Sequence, residues 1–151
     1  MPTVLEGPDA VRGAVGTHLG YSDWLTIEQD RVNQFADATG DHQWIHVDPE
    51  RAAAGPYGAP IAHGYLTMSL SNFLLPQIVR VDGFQAGINY GVDKVRFPSP
   101  VKVGERIRAG AELVEVTDVA GGIQTRMLVT IEIDGGAKPA CVIEALSRWL
   151  V

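Results

Sequence analysis

Residues 63–75 read HGYLTMSLSNFLL and lie within the longest stretch without Asp, Glu, Lys or Arg, which runs from 52 to 79. The spacing of Leu66, Leu70 and Leu74 predicts a helix over these residues, from 63 to about 75. Because no position on its circumference carries a charge, we expect the helix to be covered on nearly all sides. The apolar part is too short to cross a bilayer, so we expect no membrane partner.

The C-terminal half has the pattern of long strands that would cover this helix. Between Ile123 and Asp134, apolar and polar residues alternate, which is typical of a strand with one buried face. Three further strands are predicted at 87–97, 106–116 and 139–151. Paired glycines between the last strands favour short hairpin loops. The sequence therefore predicts an α+β fold in which a long antiparallel β-sheet wraps around a central uncharged α-helix.

The N-terminal half predicts two helices. A capping box at residues 26–29 is expected to open a helix that runs to about residue 38, where Gly40 stops it. The pair Asp48-Pro49 predicts a second, short helix with Asp48 as its N-cap.

The composition limits what the chain can bind. Its 151 residues, 46% of them apolar, suit one domain, which we place at residues 1–151. The 12 basic and 18 acidic side chains give a net charge of −6, which disfavours nucleic acid and anionic membranes as partners. The single cysteine, Cys141, and a start without a signal-peptide pattern indicate a reducing, cytoplasmic location.

Basic residues are concentrated in one segment, 94–108. This segment contains a single acid and five bases, which are Lys94, Arg96, Lys102, Arg106 and Arg108. Strand alternation puts Arg106 and Arg108 on the same face of the sheet. The segment is a candidate surface for an anionic small molecule, and a solvated strand face is the alternative.

Residues 38–48, ATGDHQWIHVD, hold the groups best suited to chemistry. On a helix, Asp41 and His46 would point about 140° apart, so they converge only if a turn lies between them. Gly40 permits such a turn. A converged pair holds a water molecule between a proton acceptor and an imidazole, which suits general acid–base catalysis. Alternatively, Asp41 stabilises the turn and His46 is an ordinary buried histidine.

Three blocks of sequence carry a resemblance to a known family. The block TGDxxxxHxD at residues 39–48 resembles the hydratase signature of the MaoC-like, (R)-specific enoyl-CoA hydratases, which share the hot-dog fold. AHG at 62–64 is similar to the start of that family's central helix. YG at 90–91 and RFPxPVxVG at 96–104 resemble the strand region that follows it.

The resemblance implies a reaction and a set of roles. Asp41 and His46 would activate a water molecule that adds to a trans-2-enoyl-CoA thioester and gives an (R)-3-hydroxyacyl thioester. The backbone N–H of Gly64 would donate to the thioester oxygen, where negative charge develops. Gln43 and His63 would complete the substrate-binding site. No cofactor is implied, and the family's edge-to-edge pairing of two sheets implies a homodimer.

The chain departs from the family pattern after His42, where Gln43-Trp44 replaces the usual Asn-Pro. We expect the longer amide of Gln43 to hydrogen-bond near Asp41 and Trp44 to reshape the loop. This departure leaves the reaction class unchanged and affects the fit of the substrate.

Other chemistries fit the sequence less well. His42 and His46 have the i,i+4 spacing of paired metal ligands, but the glutamate that zinc proteases place after the first histidine is absent, so we predict no metal. No dinucleotide or phosphate-binding loop motif is present. Two alternatives to a hydratase stay open: a hot-dog acyl-CoA thioesterase, and a non-catalytic acyl-binding or assembly subunit.

Overall fold

The computed structural model describes residues 1–151, and most of its strands form one six-stranded antiparallel sheet. In chain order the strands are β1 (Thr3–Glu6), β2 (His18–Tyr21), β3 (Leu25–Thr26), β4 (Val79–Asp82), β5 (Ala86–Arg96), β6 (Arg106–Val119), β7 (Gly122–Ile133) and β8 (Cys141–Leu150). In the large sheet, β6, β7 and β8 pair in sequence order, β5 lies outside β8, and both β2 and β3 pair with β6. The antiparallel sheet predicted for the C-terminal half is therefore confirmed.

The helices are short and precede the long strands. They are α1 (Gly7–Gly13), α2 (Gln29–Thr39), α3 (Trp44–Val47), α4 (Pro49–Ala53), α5 (Gly64–Ser69) and α6 (Ser71–Leu74), and a 3₁₀ turn follows at Leu75–Gln77. No helix is long and apolar enough to span a bilayer.

A two-residue turn joins β6 to β7. Gly121 lies in this turn with φ of +81°, a left-handed conformation that glycine adopts without a steric penalty. The register runs from Val119 opposite Gly122 to Ile107 opposite Ile133. Because the turn is this tight, β6 extends three residues beyond its predicted end at 116.

The main apolar core lies between the α5–α6 segment and the inner face of the sheet. Leu66, Leu70 and Leu74 belong to one buried cluster with Val129 and Ile131 of β7. Burying each leucine stabilises the fold by about 1.5–3 kcal/mol relative to leaving it exposed. The alternating strands and the leucine spacing therefore meet as the sequence predicted.

The single helix predicted over 63–75 is wrong in one respect, because the structure divides it at Leu70. The hydroxyl of Ser69 donates to the carbonyl of Tyr65 at 2.7 Å, and this type of back-bonding bends helices. The next turn tightens, with the N–H of Phe73 bonded three residues back to Leu70.

The expectation that this segment is covered on nearly all sides is also wrong for the single chain. Tyr65 is 67% exposed and Phe73 is 53% exposed, because the sheet covers only one side of the segment. An apolar face of the central segment is therefore open to solvent or to another protein.

The structure agrees with two of the three helix boundaries predicted in the N-terminal half. The capping box is wrong: Thr26 lies in β3 opposite Arg106, so α2 begins three residues later without a side-chain cap. Its end is confirmed, because Gly40 is the C-cap with φ of +82°. Asp48 is the N-cap of α4, as expected, and its carboxylate accepts a hydrogen bond from the N–H of Arg51 at 3.1 Å.

A small parallel sheet of β1 and β4 was not predicted. It packs with α1 over a second buried cluster that includes Leu5, Val11 and Leu113. These elements cover one part of the large sheet, while α2, α3 and α5 contribute to the candidate site.

Candidate active site

Asp41 and His46 converge because the chain turns between two helices. Gly40 ends α2, residues 41–43 are irregular, and α3 is a single turn. As a result one carboxylate oxygen of Asp41 and one ring nitrogen each of His46 and His63 all lie within 4.8 Å of one another. The turn that Gly40 was expected to permit is present.

These side chains open into a cleft of about 370 Å³, called here the active-site cleft. Its lining residues are Phe35, Thr39, Asp41, His46, His63, Gly64, Tyr65 and Phe97. Four of the five predicted site residues therefore meet in one place. The aromatic walls were not predicted as site residues, although Tyr65 and Phe97 are direct neighbours of predicted motif residues.

His46 is buried and held in one orientation. Its Nδ1 lies 2.7 Å from the carbonyl oxygen of Ile61, and a carbonyl only accepts, so Nδ1 carries the proton. Burial lowers the pKa of His46, and this effect outweighs the hydrogen bond to Ile61 and the charge of Asp41, which raise it. The ring is therefore neutral at neutral pH, and its Nε2 has a free lone pair.

A second contact fixes the backbone of His46. The side-chain amide of Gln29, at the start of α2, donates to the carbonyl of His46 at 2.7 Å. It also donates to the side chain of Asn33 at 3.0 Å. This tether between α2 and α3 was not predicted, because nothing in the sequence pairs residues 17 positions apart.

Asp41 is exposed on the loop and accepts only a long bond, 3.4 Å, from the N–H of Gln43. Its carboxylate is therefore accessible from the cleft. Gly64 is the first residue of α5, a position whose N–H has no intrahelical acceptor. A β-carbon at Gly64 would lie 3.2 Å from the ring of Phe97, so this position has little room for a side chain.

Gln43 is the predicted site residue that the structure does not bring into the cleft. It is exposed, precedes α3 and does not line the cavity. Its neighbour Trp44 is half-buried and packs against Gly55, with the guanidinium of Arg51 4.4 Å from the ring centroid. Trp44 therefore packs on the segment that contains Arg51 and Gly55, and it does not line the cleft either.

His42 and His46 do not form the pair of metal ligands that their i,i+4 spacing suggests. His42 is not beside His46: it is exposed, and its Nε2 bonds to the carboxylate of Asp37 at 2.9 Å. The group that does assemble is Asp41, His46 and His63. The two imidazole rings are stacked, with centroids 3.9 Å apart and planes 23° apart, and ring lone pairs point in the ring plane. One ion would lie in both planes only if the rings unstacked.

Two arginines of the basic segment 94–108 form ion pairs with acids of the neighbouring strand. Arg106 and Arg108 share the outer face of the sheet, as predicted, but they form ion pairs with Asp134 and Glu132. The guanidinium of Arg108 also lies over the ring of Trp24 at 4.6 Å. Their charges are therefore paired with acids, which favours the solvated strand face over an anion-binding patch.

The cleft lies within the part of the chain that matches a known protein family. The family model described as "MaoC like domain" matches residues 10–133, a span that includes every residue lining the cleft. The chain belongs to the MaoC-like domain family. The hot-dog fold inferred from the sequence motifs is confirmed by solved structures of this family.

Two of those structures are hydratases. An R-hydratase from Pseudomonas aeruginosa is 25% identical with a TM-score of 0.73, covering 90% of this chain and 81% of its own. An (R)-hydratase from A. caviae, described as involved in PHA biosynthesis, is 27% identical with a TM-score of 0.72, covering 89% and 95%.

Similarity is higher among curated sequences. The chain is 56% identical over 138 residues to "3-hydroxyacyl-thioester dehydratase Z" of Mycobacterium tuberculosis, covering 91% of each. It is 46% identical over 133 residues to "Nodulation protein N" of Rhizobium meliloti, covering 86% of this chain and 83% of that protein. The family therefore includes relatives with different biological names.

Proposed function

We propose that this protein is a hydro-lyase that hydrates trans-2-enoyl-CoA to (R)-3-hydroxyacyl-CoA and catalyses the reverse dehydration. The observation that carries the proposal is the convergence of two proton acceptors, the carboxylate of Asp41 and the free Nε2 of His46, in one cleft. The dehydratase and (R)-hydratase relatives support the same reaction class.

The two acceptors suit a single water molecule. Water has two protons to donate, one to the Asp41 carboxylate and one to His46 Nε2, which leaves an oxygen lone pair for attack on C3 of the thioester. As the C3–O bond forms, Asp41 accepts a proton from the water and the π electrons move to C2. A proton then passes from the carboxyl group to C2, so both atoms of the double bond receive the elements of water.

Negative charge that develops on the thioester oxygen needs a hydrogen-bond donor. The N–H of Gly64 is the donor at the start of α5, and the lack of a side chain lets the thioester approach. The rings of Tyr65 and Phe97 form an apolar wall beside it and limit the water that enters.

Measuring both products separates the hydratase from the alternatives. Purified protein is mixed with trans-2-enoyl-CoA of several chain lengths, and enoyl absorbance and free thiol are followed together. We expect absorbance to fall without release of thiol, and chiral chromatography to show the (R)-3-hydroxyacyl product. Free CoA would instead indicate a thioesterase, and binding without either product would indicate an acyl-binding subunit.

We also propose a homodimer formed through β5. This strand is paired with β8 on one side only, and its side chains are exposed along almost its whole length. An unpaired edge that carries Ile88, Tyr90 and Val92, each about half exposed, is suited to pairing with a second copy.

A further inference from the structure

His63 is a buried side chain whose hydrogen-bonding state is fixed. It is 3% exposed, and its Nε2 lies 3.0 Å from the carbonyl oxygen of Asp41. Because a carbonyl only accepts, Nε2 carries the proton and donates. The other ring nitrogen, Nδ1, is buried without any partner, so adding a proton there would create a buried N–H with no acceptor. Nε2 is therefore the ring nitrogen that donates, and this donor is already used.

The hydrogen bond from His63 is the shortest one made by Asp41. The remaining polar contacts of Asp41 are both 3.4 Å long, to the hydroxyl of Thr39 and the N–H of Gln43. Asp41 follows the left-handed Gly40 in an irregular segment, where no helix or strand holds the backbone. The position of its carboxylate therefore depends strongly on the contact with His63.

The same ring sets the plane of His46. The two imidazoles are stacked at a centroid distance of 3.9 Å, and the ring of Phe35 packs on His63 at 4.8 Å. His63 is also bonded in sequence to Gly64 and, through its carbonyl, accepts from the N–H of Thr67 at 3.1 Å. One residue therefore joins the Asp41 loop, the His46 ring and the start of α5.

We propose that His63 is a positioning residue and not a substrate-binding one: by donating to the Asp41 carbonyl and stacking on His46, it sets the separation of the two water-activating groups. The inference rests on the proposed hydration reaction. Misplacing reacting groups by about 1 Å costs on the order of a hundredfold in rate. Loss of His63 should therefore lower kcat much more than it changes KM.

Three substitutions separate the hydrogen bond from the stack. His63→Phe keeps an aromatic ring and removes the donor. His63→Gln keeps an amide N–H near the position of Nε2, whereas His63→Asn places its amide nearer Nδ1, too short to reach Asp41. We expect kcat to fall roughly ten- to hundredfold in His63→Phe and His63→Asn, with KM changed less than about threefold. The kcat of His63→Gln should be at least about fivefold higher than that of either variant. His18→Gln, on the outer face of the sheet, is the matched control.

The result that overturns the proposal is equally specific. If folded His63→Phe or His63→Asn keeps at least half of the wild-type kcat, or if Gln is no better than Asn, the hydrogen bond does not position Asp41. A large rise in KM with unchanged kcat would assign His63 to substrate binding. Circular dichroism and thermal melting establish that each variant is folded.

Nitrogen-15 NMR of the wild-type rings tests the same idea when a variant does not fold. At neutral pH we expect a proton on Nε2 of His63, and we expect His46 to be the neutral Nδ1–H tautomer. A His63 ring with its proton on Nδ1 and none on Nε2 would overturn the proposal. This measurement needs no turnover, so it stays informative if the protein fails to hydrate enoyl-CoA. Conversely, active His63 variants beside an inactive Asp41→Asn would reject this inference alone.

Discussion

Asp41 and His46 are held in opposite ways, and this difference suits the two roles that we propose for them. The carboxylate of Asp41 is exposed and lightly bonded, so it is free to exchange a proton. The imidazole of His46 is buried and oriented by Ile61, so it is suited to hold an oxygen in place. An accessible proton acceptor beside a buried, oriented one is the arrangement that the proposed water addition needs.

The first prediction concerns the proton acceptor. Asp41→Asn keeps the shape of the side chain and removes its basicity, so hydration should fall about a hundred- to ten-thousandfold with folding unchanged. Steady-state hydration rates and a thermal melt measure the two effects. Asp37→Asn is the matched control, because that carboxylate is exposed, bonds to His42 and does not line the cleft.

An Asp41→Asn protein that is folded and keeps most of its activity would reject this role. The double variant with His46→Ala adds a second check. The effects of residues that act as one unit are strongly non-additive. The fold-loss of activity in the double variant should therefore be much smaller than the product of the two single fold-losses. Full multiplicativity would mean that the two side chains act independently.

The second prediction follows from the lowered pKa of His46. An unfolded histidine titrates near 6.5, so between that value and the lower folded pKa the unfolded chain binds more protons. The contribution of His46 to the free energy of unfolding is therefore present above about pH 6.5 and is lost as pH falls below it. Urea unfolding at pH 7.5 and 5.5 should show a smaller acid-induced loss in His46→Gln than in wild type.

Wild type must be compared with His46→Gln, because His42 changes the free energy of unfolding with pH in the opposite direction. The carboxylate of Asp37 raises the pKa of His42, so that contribution is present at low pH and is lost as pH rises through the folded value. His42 is unchanged in both proteins and cancels. Equal acid-induced losses in wild type and His46→Gln would contradict a lowered pKa at His46.

At the scale of elements, we expect the end of β5 and the loop after it to contribute more to anion binding than β6 does. Arg106 and Arg108 on β6 are neutralised by acids on β7. By contrast, Arg96 and Lys102 have no ion-pair partner, and they flank the segment that contains Phe97 of the cleft wall. The uncompensated bases are therefore those nearer the cleft along the chain.

The third prediction applies this difference to the phosphates of CoA. Because a hydrogen bond to a charged group contributes about 1.5–3 kcal/mol, Lys102→Ala or Arg96→Ala should raise KM for enoyl-CoA about tenfold. Arg108→Ala, the matched control, should leave KM unchanged. For a pantetheine thioester without the nucleotide, none of the three should change KM.

Salt gives an independent readout of the same contact. Raising ionic strength should increase KM for enoyl-CoA more than for the truncated thioester, because screening weakens only the exposed charge contacts. Equal salt sensitivity for both substrates, or an effect of Arg108→Ala as large as that of Lys102→Ala, would contradict this assignment.

At the scale of the whole molecule, the single chain leaves one strand edge unpaired and two aromatic rings exposed. The β5 edge lacks a neighbouring strand, and the exposed rings of Tyr65 and Phe73 lie on the central helical segment. Soluble monomers seldom leave a long apolar edge unprotected, because it invites pairing with other chains. The proposed second copy would cover both the uncharged helical segment and the free edge of the sheet.

The fourth prediction tests that explanation. Val92→Lys places like charges close together where two β5 edges pair, so we expect the dimer to dissociate. Light scattering after size-exclusion chromatography measures the mass. Val114→Lys is the matched control, since Val114 is similarly exposed but lies in β6, an inner strand. A monomeric wild type, or a Val92→Lys protein that stays dimeric, would contradict the proposed interface.

Much of the fold was readable because its signals are local. Alternation at 123–134 and glycine at the turns depend only on neighbouring residues, and both were interpreted correctly. The capping box at 26–29 failed because Thr26 pairs with Arg106, eighty residues away. The unbroken central helix failed because the Ser69 hydroxyl competes for a backbone carbonyl, which periodicity does not reveal.

The same distinction between local signals and distant contacts applies to the candidate site. The sequence by itself determined the secondary-structure pattern, the family motifs and the presence of Asp41, His46 and Gly64, since these depend on residue type and short spacing. Only the tertiary structure decided that His63 donates to Asp41, that Gln43 stays outside the cleft and that the bases of β6 are neutralised. Those facts depend on which distant atoms meet and how deeply they are buried, and both are set when the sheet closes on the helix.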